Sequence, residues 1–193
     1  MVEEGDSVML GNDFAIIYKR YLKEAVSVGG IGKNILKADA SNEFHGMPDS
    51  GCFCLLPYGI GPLILGNVIC VEIQQILVDA ANAYFDKTTY PDLSFVHGDL
   101  RKLTYGDKYF DAVIDLSTLD HMIFDEGLGV IDEYARVLKA NGDLVLVVWC
   151  KRKPKARTVD SDVFYYDEEE ITKKLEEQFI IEKHECIHIQ HDD

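Results

Sequence analysis

Four carboxylates stand at or just past the carboxyl ends of short apolar runs. Glu72 follows Val68-Ile69-Cys70-Val71, and Asp115 closes Phe110-Asp111-Ala112-Val113-Ile114. Asp99 follows Leu93-Ser94-Phe95-Val96 by way of His97-Gly98, and Asp39 closes Ile35-Leu36-Lys37-Ala38. An ionised carboxylate only accepts hydrogen bonds, so acids in these places suit the capture of hydroxyl and amine donors. No pair of residues forms a self-evident acid–base set. The chemistry these positions favour is ligand binding.

The elements that must carry these acids follow from hydrophobic periodicity. Residues 11–28 read as a helix, with Phe14, Ile17, Tyr18, Tyr21, Leu22 and Ala25 at spacings of three and four; Gly29-Gly30 ends it. Asn34–Asp39 is the first strand, residues 40–51 a polar loop, and Cys52–Ile60 a short helix. Val68–Val71 is the second strand, Gln74–Phe85 a helix and Leu93–Val96 the third strand. Phe110–Asp115 is the fourth, Leu128–Lys139 a helix, and Leu144–Trp149, after Asn141-Gly142, the fifth. Asp167, with Glu170 three residues on, has the spacing of a capping box. Phe179 to Ile189 alternates like a half-exposed strand or hairpin. Strand–helix alternation predicts an α/β class: a doubly wound, mostly parallel Rossmann-like sheet of six to seven strands with helices on both faces. Ligands of such sheets sit at the carboxyl ends of the strands, which is where the four acids fall.

The 193 residues, 47% hydrophobic, suit one domain: a lead-in over 1–33, a core over 34–149, and a loop, helix and terminal strand over 150–193. A net charge of −15 argues against nucleic acid and anionic membrane as partners. Five cysteines, an odd number, and an acidic N-terminus without a secretory pattern point to a reduced, cytoplasmic protein. Residues 51–71 carry no charge, yet Pro57, Gly59, Gly61, Pro62 and Gly66 would break a membrane-spanning helix.

Two segments carry a family resemblance. Phe110-Asp111-Ala112-Val113-Ile114-Asp115 leads into Leu-Ser-Thr-Leu-Asp-His-Met, and Glu133 precedes Arg136-Val137-Leu138-Lys139-Ala140-Asn141-Gly142 and an apolar strand. Together they resemble the second half of class I S-adenosylmethionine-dependent methyltransferases. The resemblance implies that Glu72, with Ile73 beside it, holds the ribose hydroxyls of S-adenosylmethionine, and that Asp99-Leu100 receives the adenine. Asp115, Leu116 and Ser117 would line the methyl-donor end. Asp120-His121 sits where many relatives carry a His-His pair, with His121 either near the substrate or in a packing role. Methyl transfer from a sulfonium asks for alignment more than for a dedicated acid or base.

The family's glycine-rich loop after strand one has no clean copy here. Leu56–Gly61 is one candidate, but only six residues then separate it from the next strand, and a helical crossover needs about ten to twelve. The other is Asn34–Glu43, which resembles a minority of methyltransferase-like sequences with "LKxDxxNEaxG" at this place. In that reading Asp39, Ser41, Glu43 and Gly46 meet the cationic amino-acid end of the cofactor. The implied activity is methyl transfer to an acceptor, small molecule or protein, with a partner subunit able to complete the pocket. The alternative is a catalytically silent binding or scaffold protein on the same fold. A nicotinamide enzyme is a poorer fit, since the pyrophosphate needs a Gly-x-Gly-x-x-Gly that the chain lacks.

Two motifs remain. Lys151–Arg157 holds five positive charges in seven residues, whereas the rest of the chain carries −20; it is either a solvated loop or the border of a site for an anionic substrate. His184-x-Cys186-x-His188 places three potential metal ligands on one face of a strand, but such spacing makes a poor tetrahedral cage. Exposed residues of an edge strand, with no metal, are the expectation.

Overall fold

The computed structural model describes residues 24, 27–38, 66–151, 159–160 and 163–186. Five strands form the main sheet: β1 (Asn34–Ala38), β2 (Asn67–Glu72), β3 (Leu93–His97), β4 (Phe110–Leu116) and β5 (Leu138–Val147). Their order is β3-β2-β1-β4-β5 and every pairing is parallel. The first strand is therefore Asn34–Ala38, at the centre of the sheet, flanked by β2 through Leu36↔Ile69 and by β4 through Leu36↔Val113.

Helices cover both faces. Leu36, Ala38, Ile69, Val71 and Val113 pack with Val130, Ile131, Tyr134 and Val137 of helix α2 (Phe124–Val137), all buried. Helix α1 (Gln75–Tyr84) lies on the opposite face, where Val78, Ala81 and Phe85 are buried and the Phe85 ring stacks on Phe95 at 5.6 Å. The α/β, doubly wound, mostly parallel class expected from the sequence is the observed one. The strand count is not. Five strands make the main sheet among the described residues, and two short ladders stand apart, β6 (Cys150–Lys151) with β9 (Tyr166–Asp167) and β7 (Val159–Asp160) with β8 (Val163–Phe164).

The expected terminal strand does not form over residues 181–186. Its polar side chains are held elsewhere: Lys183 pairs with Glu24 at 2.6 Å, and Cys186 donates to Glu168 at 3.0 Å. Glu168 opens helix α3 (Glu168–Glu176), which Asp167 caps as expected by accepting from the amides of Glu169 and Glu170. The helix predicted over Leu128–Lys139 runs from Phe124 to Val137. Leu138 already pairs with Phe110, after which the ladder shifts and resumes at Ala112↔Asp143. Within that bulge Asn141 takes a positive φ of 67°, a conformation its short side chain tolerates. The predicted N-terminal helix apart from residues 24, 27 and 28, the 40–51 loop and the Cys52–Ile60 helix lie outside the described residues. No helix among the described residues is long and apolar enough to cross a membrane.

Two close approaches fix backbone positions. Gly66, at φ 102°, turns the chain into β2; a Cβ there would stand 2.5 Å from the carbonyls of Gly30 and Lys33. In α2, a Cβ on Gly127 would overlap the Tyr166 hydroxyl, which donates to the Leu119 carbonyl at 2.9 Å. Gly129, two residues on in α2, has open space around it. Alanine in a helix stabilises by about 0.5–1 kcal/mol over glycine, whereas overpacking costs about 1–3 kcal/mol. Urea unfolding should therefore show Gly129→Ala stabilised by up to about 1 kcal/mol and Gly127→Ala destabilised.

Candidate functional site

The strand order reverses at β1: the chain passes outward through β2 and β3, then returns to place β4 on the other side. A crevice opens at the carboxyl ends of the strands beside such a reversal. Glu72 ends β2 there, 3% exposed, and its Oε1 accepts the Gln74 amide at 2.7 Å. The Glu72 carbonyl accepts the Gly98 amide at 2.9 Å, which ties the ends of β2 and β3 together. Ile73 is 55% exposed at the same edge, and its carbonyl lies 3.0 Å from His97 Nε2.

Asp99 begins the turn after β3. Its Oδ1 accepts the Arg101 amide at 2.9 Å, and the Arg101 guanidinium grips both carboxylate oxygens while also reaching Glu126 at 3.1 Å. The Arg101 side chain holds the Asp99 carboxyl below the ordinary carboxylate range. Asp99 thus has a turn-forming role of its own and is partly exposed beside it. Leu100, next in the chain, is buried in the core.

The end of β4 is built differently. Asp115 is fully buried; one oxygen accepts the Thr118 amide at 2.8 Å and the other the Tyr134 hydroxyl at 2.7 Å. This carboxylate braces the β4 end against α2. Leu116 is buried, and Ser117 takes a positive φ of 68° while its amide donates to the Val147 carbonyl at 3.0 Å. The left-handed residue turns the chain sharply over the sheet edge.

Sequence reasoning assigned no site role to two buried charged groups. Asp120 is 1% exposed; its Oδ1 accepts the Trp149 amide at 2.8 Å, and its Oδ2 is buried with no hydrogen-bond partner. Burial, with the charge of Asp115 close by, pushes its carboxyl well above the ordinary range. Lys37, inside β1, is 5% exposed and its Nζ donates to the Ala38 carbonyl at 3.4 Å. The register pairs Lys37 with Cys70, so Lys37 and Glu72 share a sheet face two residues apart, about 7 Å along the strands. The signal was present, a lysine within an apolar strand, but burial of that lysine is a tertiary fact. Asp39, Ser41, Glu43 and Gly46 lie outside the described residues; the strand that leads to them is described.

The sheet order and its parallel pairings define a Rossmann-like α/β domain. Residues 51–146 match the family model described as a methyltransferase domain. Solved structures share the fold. The [4+2]-cyclase SpnF superposes with a TM-score of 0.66 and 20% identity, over 91% of this chain and 61% of its own. A SAM-dependent methyltransferase from Aquifex aeolicus gives 0.57 and 22%, over 83% and 78%. A complex that contains the Haloferax volcanii Trm112 methyltransferase activator gives 0.60 and 17%, over 89% and 77%. The chain spans less than two thirds of the cyclase's length, and no curated protein sequence matches it. The match to the methyltransferase-domain model and the shared fold are consistent with a class I, Rossmann-like methyltransferase.

The state of Asp120 has a consequence for stability. A carboxyl whose folded pKa is raised is neutral in both states at low pH. As pH climbs past the unfolded value, about 3.9, the unfolded chain alone ionises and stability falls. Asp120→Asn mimics the neutral acid. Its melting temperature should exceed that of the parent at pH 7–8, and the gap should close toward pH 4, as thermal unfolding across that range would show.

Proposed function

We propose that the protein binds S-adenosylmethionine along the carboxyl edge of β2, β1 and β4 and transfers its methyl group to an acceptor. The observation that carries this reading is Glu72: a carboxylate kept almost out of solvent at a ligand-binding strand end. An ionised carboxylate has about four acceptor sites, so Glu72 can hold its backbone contact to Gln74 and still accept from the hydroxyls of a ribose.

The donor chemistry of the cofactor suits the acceptors at this edge. Glu72 takes the ribose, with Ile73 supplying apolar surface beside it, and Asp99 with the backbone at Leu100 receives the adenine amino group. Asp115, Leu116 and Ser117 form the wall of the methyl-donor end, Asp115 by holding the β4 end in place through Tyr134. Asp39, Ser41, Glu43 and Gly46, next in the chain after β1, are assigned to the cationic amino-acid end by their chemistry. The bound cofactor supplies an electrophilic methyl carbon on sulfur. The residues of the chain align it and keep water from it.

The acceptor is a small molecule or a protein. The basic run of residues 151–157 follows β5 directly, which favours an anionic acceptor. That a structural neighbour is solved with a methyltransferase activator supports a partner subunit here as well. We place the protein in the cytoplasm on the ground of its cysteine usage.

Calorimetric titration tests the reading. S-adenosylmethionine and S-adenosylhomocysteine should each bind with micromolar affinity. Glu72→Gln should weaken both by about 10- to 100-fold, the equivalent of one charge-assisted hydrogen bond of about 1.5–3 kcal/mol. Folded Glu72→Gln protein with unchanged affinity would remove Glu72 from the site. No binding to the parent at millimolar ligand would favour the silent scaffold.

A further inference from the structure

Glu168, His184 and Cys186 come together on the surface from two parts of the chain. Cys186 Sγ lies 3.0 Å from Glu168 Oε1, His184 Nε2 lies 3.6 Å from the same oxygen, and the sulfur and nitrogen are 3.8 Å apart. Ligands in a row along one regular strand make a poor tetrahedral cage. Residues 181–186 are not a strand, and the third donor comes from the first turn of α3. That carboxylate is brought in by the fold and could not be read from the local sequence.

The triangle can be compared with what a metal asks of its ligands. Zinc bonds of about 2.0–2.3 Å in tetrahedral geometry space neighbouring donor atoms about 3.3–3.6 Å apart. The three separations straddle that range. A point equidistant from the three atoms lies about 2.0 Å from each, close to the bond lengths zinc requires. One thiol, one imidazole and one carboxylate are donors of mixed softness, which suits zinc over magnesium or calcium. We propose that Glu168, His184 and Cys186 form a zinc site, with the fourth position open to water.

Coordination balances simply. The Cys186 thiol gives its proton to solvent and the thiolate bonds to the ion; neutral His184 donates its Nε2 lone pair; Glu168 exchanges the thiol hydrogen bond for the metal. The site fastens residues 184–186 to the start of α3. Directly before α3, β9 pairs with β6, which begins three residues after β5 ends. The ion thus ties the C-terminal segment to the ligand-binding edge of the sheet. This inference does not depend on which ligand that edge takes.

The test uses the full chain, stripped with a chelator and then freed of it. Zinc titrated against a chromophoric competitor should bind at one ion per chain with sub-micromolar affinity. Cobalt in its place should show a thiolate-to-metal charge-transfer band in the near ultraviolet. Cys186→Ser should abolish that band and weaken zinc by at least about a hundred-fold, and Glu168→Gln by about tenfold. All three side chains are at or near the surface, so the variants should keep the circular dichroism of the parent. Absence of stoichiometric zinc binding would overturn the proposal. So would binding that Cys186→Ser and His184→Ala both leave unchanged.

Discussion

Parallel strands pair only through crossovers, and the position of β1 between β2 and β4 is the constraint on which the rest of the molecule depends. From β1 the chain can add strands on one side only until it recrosses the sheet. It does so between β3 and β4, so that β1 is the point of reversal. Ile35 and Leu36 at this position are wholly buried, and the short strand is held on both sides by ladders. The amino end of the sheet is stapled by Asp111, which accepts from the Asn34 amide at 2.8 Å and the Lys139 ammonium at 2.7 Å. At the carboxyl end β2 is tied to β3 and β4 to β5, and the acids of the candidate site stand there.

Those acids are not equivalent. Asp115 is satisfied by two protein donors and works as a brace. Asp99 is shared between its turn and Arg101. Glu72 is buried at the edge with the Gln74 amide on one oxygen. Asp120 has a buried oxygen without a partner among the described residues, a condition that costs about 1–3 kcal/mol for a neutral group and more for a charged one. That cost disfavours the ionised form of Asp120 and raises its pKa. The environment of each carboxylate thus distinguishes its structural work more sharply than its place at a strand end does.

Much of this was legible in the residues. The strands Asn67–Glu72, Leu93–His97 and Phe110–Leu116 stand within one or two residues of their predicted bounds, because apolar runs closed by Gly, Asn or an acid have few other solutions. A helical crossover needs about ten to twelve residues before Asn67, so the first strand falls before residue 40, where β1 pairs with β2 and β4. What the residues did not disclose was tertiary. Lys37 looks like any strand lysine until its burial is known. The alternation of residues 179–189 reads as a strand, but over 181–186 the side chains are claimed by Glu24 and Glu168, far away in sequence. The bulge at Asn141 mimics a helix terminator, while the helix itself stops four residues earlier.

A methyltransferase-like fold leaves the chemistry to the site, as the presence of a cyclase among the structural neighbours makes plain. The central claim is that the carboxyl edge beside β1 is where S-adenosylmethionine binds. Photolabelling with radioactive S-adenosylmethionine, followed by peptide mapping, tests it most directly. The account predicts label in peptides that contain residues 72–76, 97–101 or 115–121, suppressed by excess S-adenosylhomocysteine. Suppressible label confined to peptides distant from that edge would contradict it.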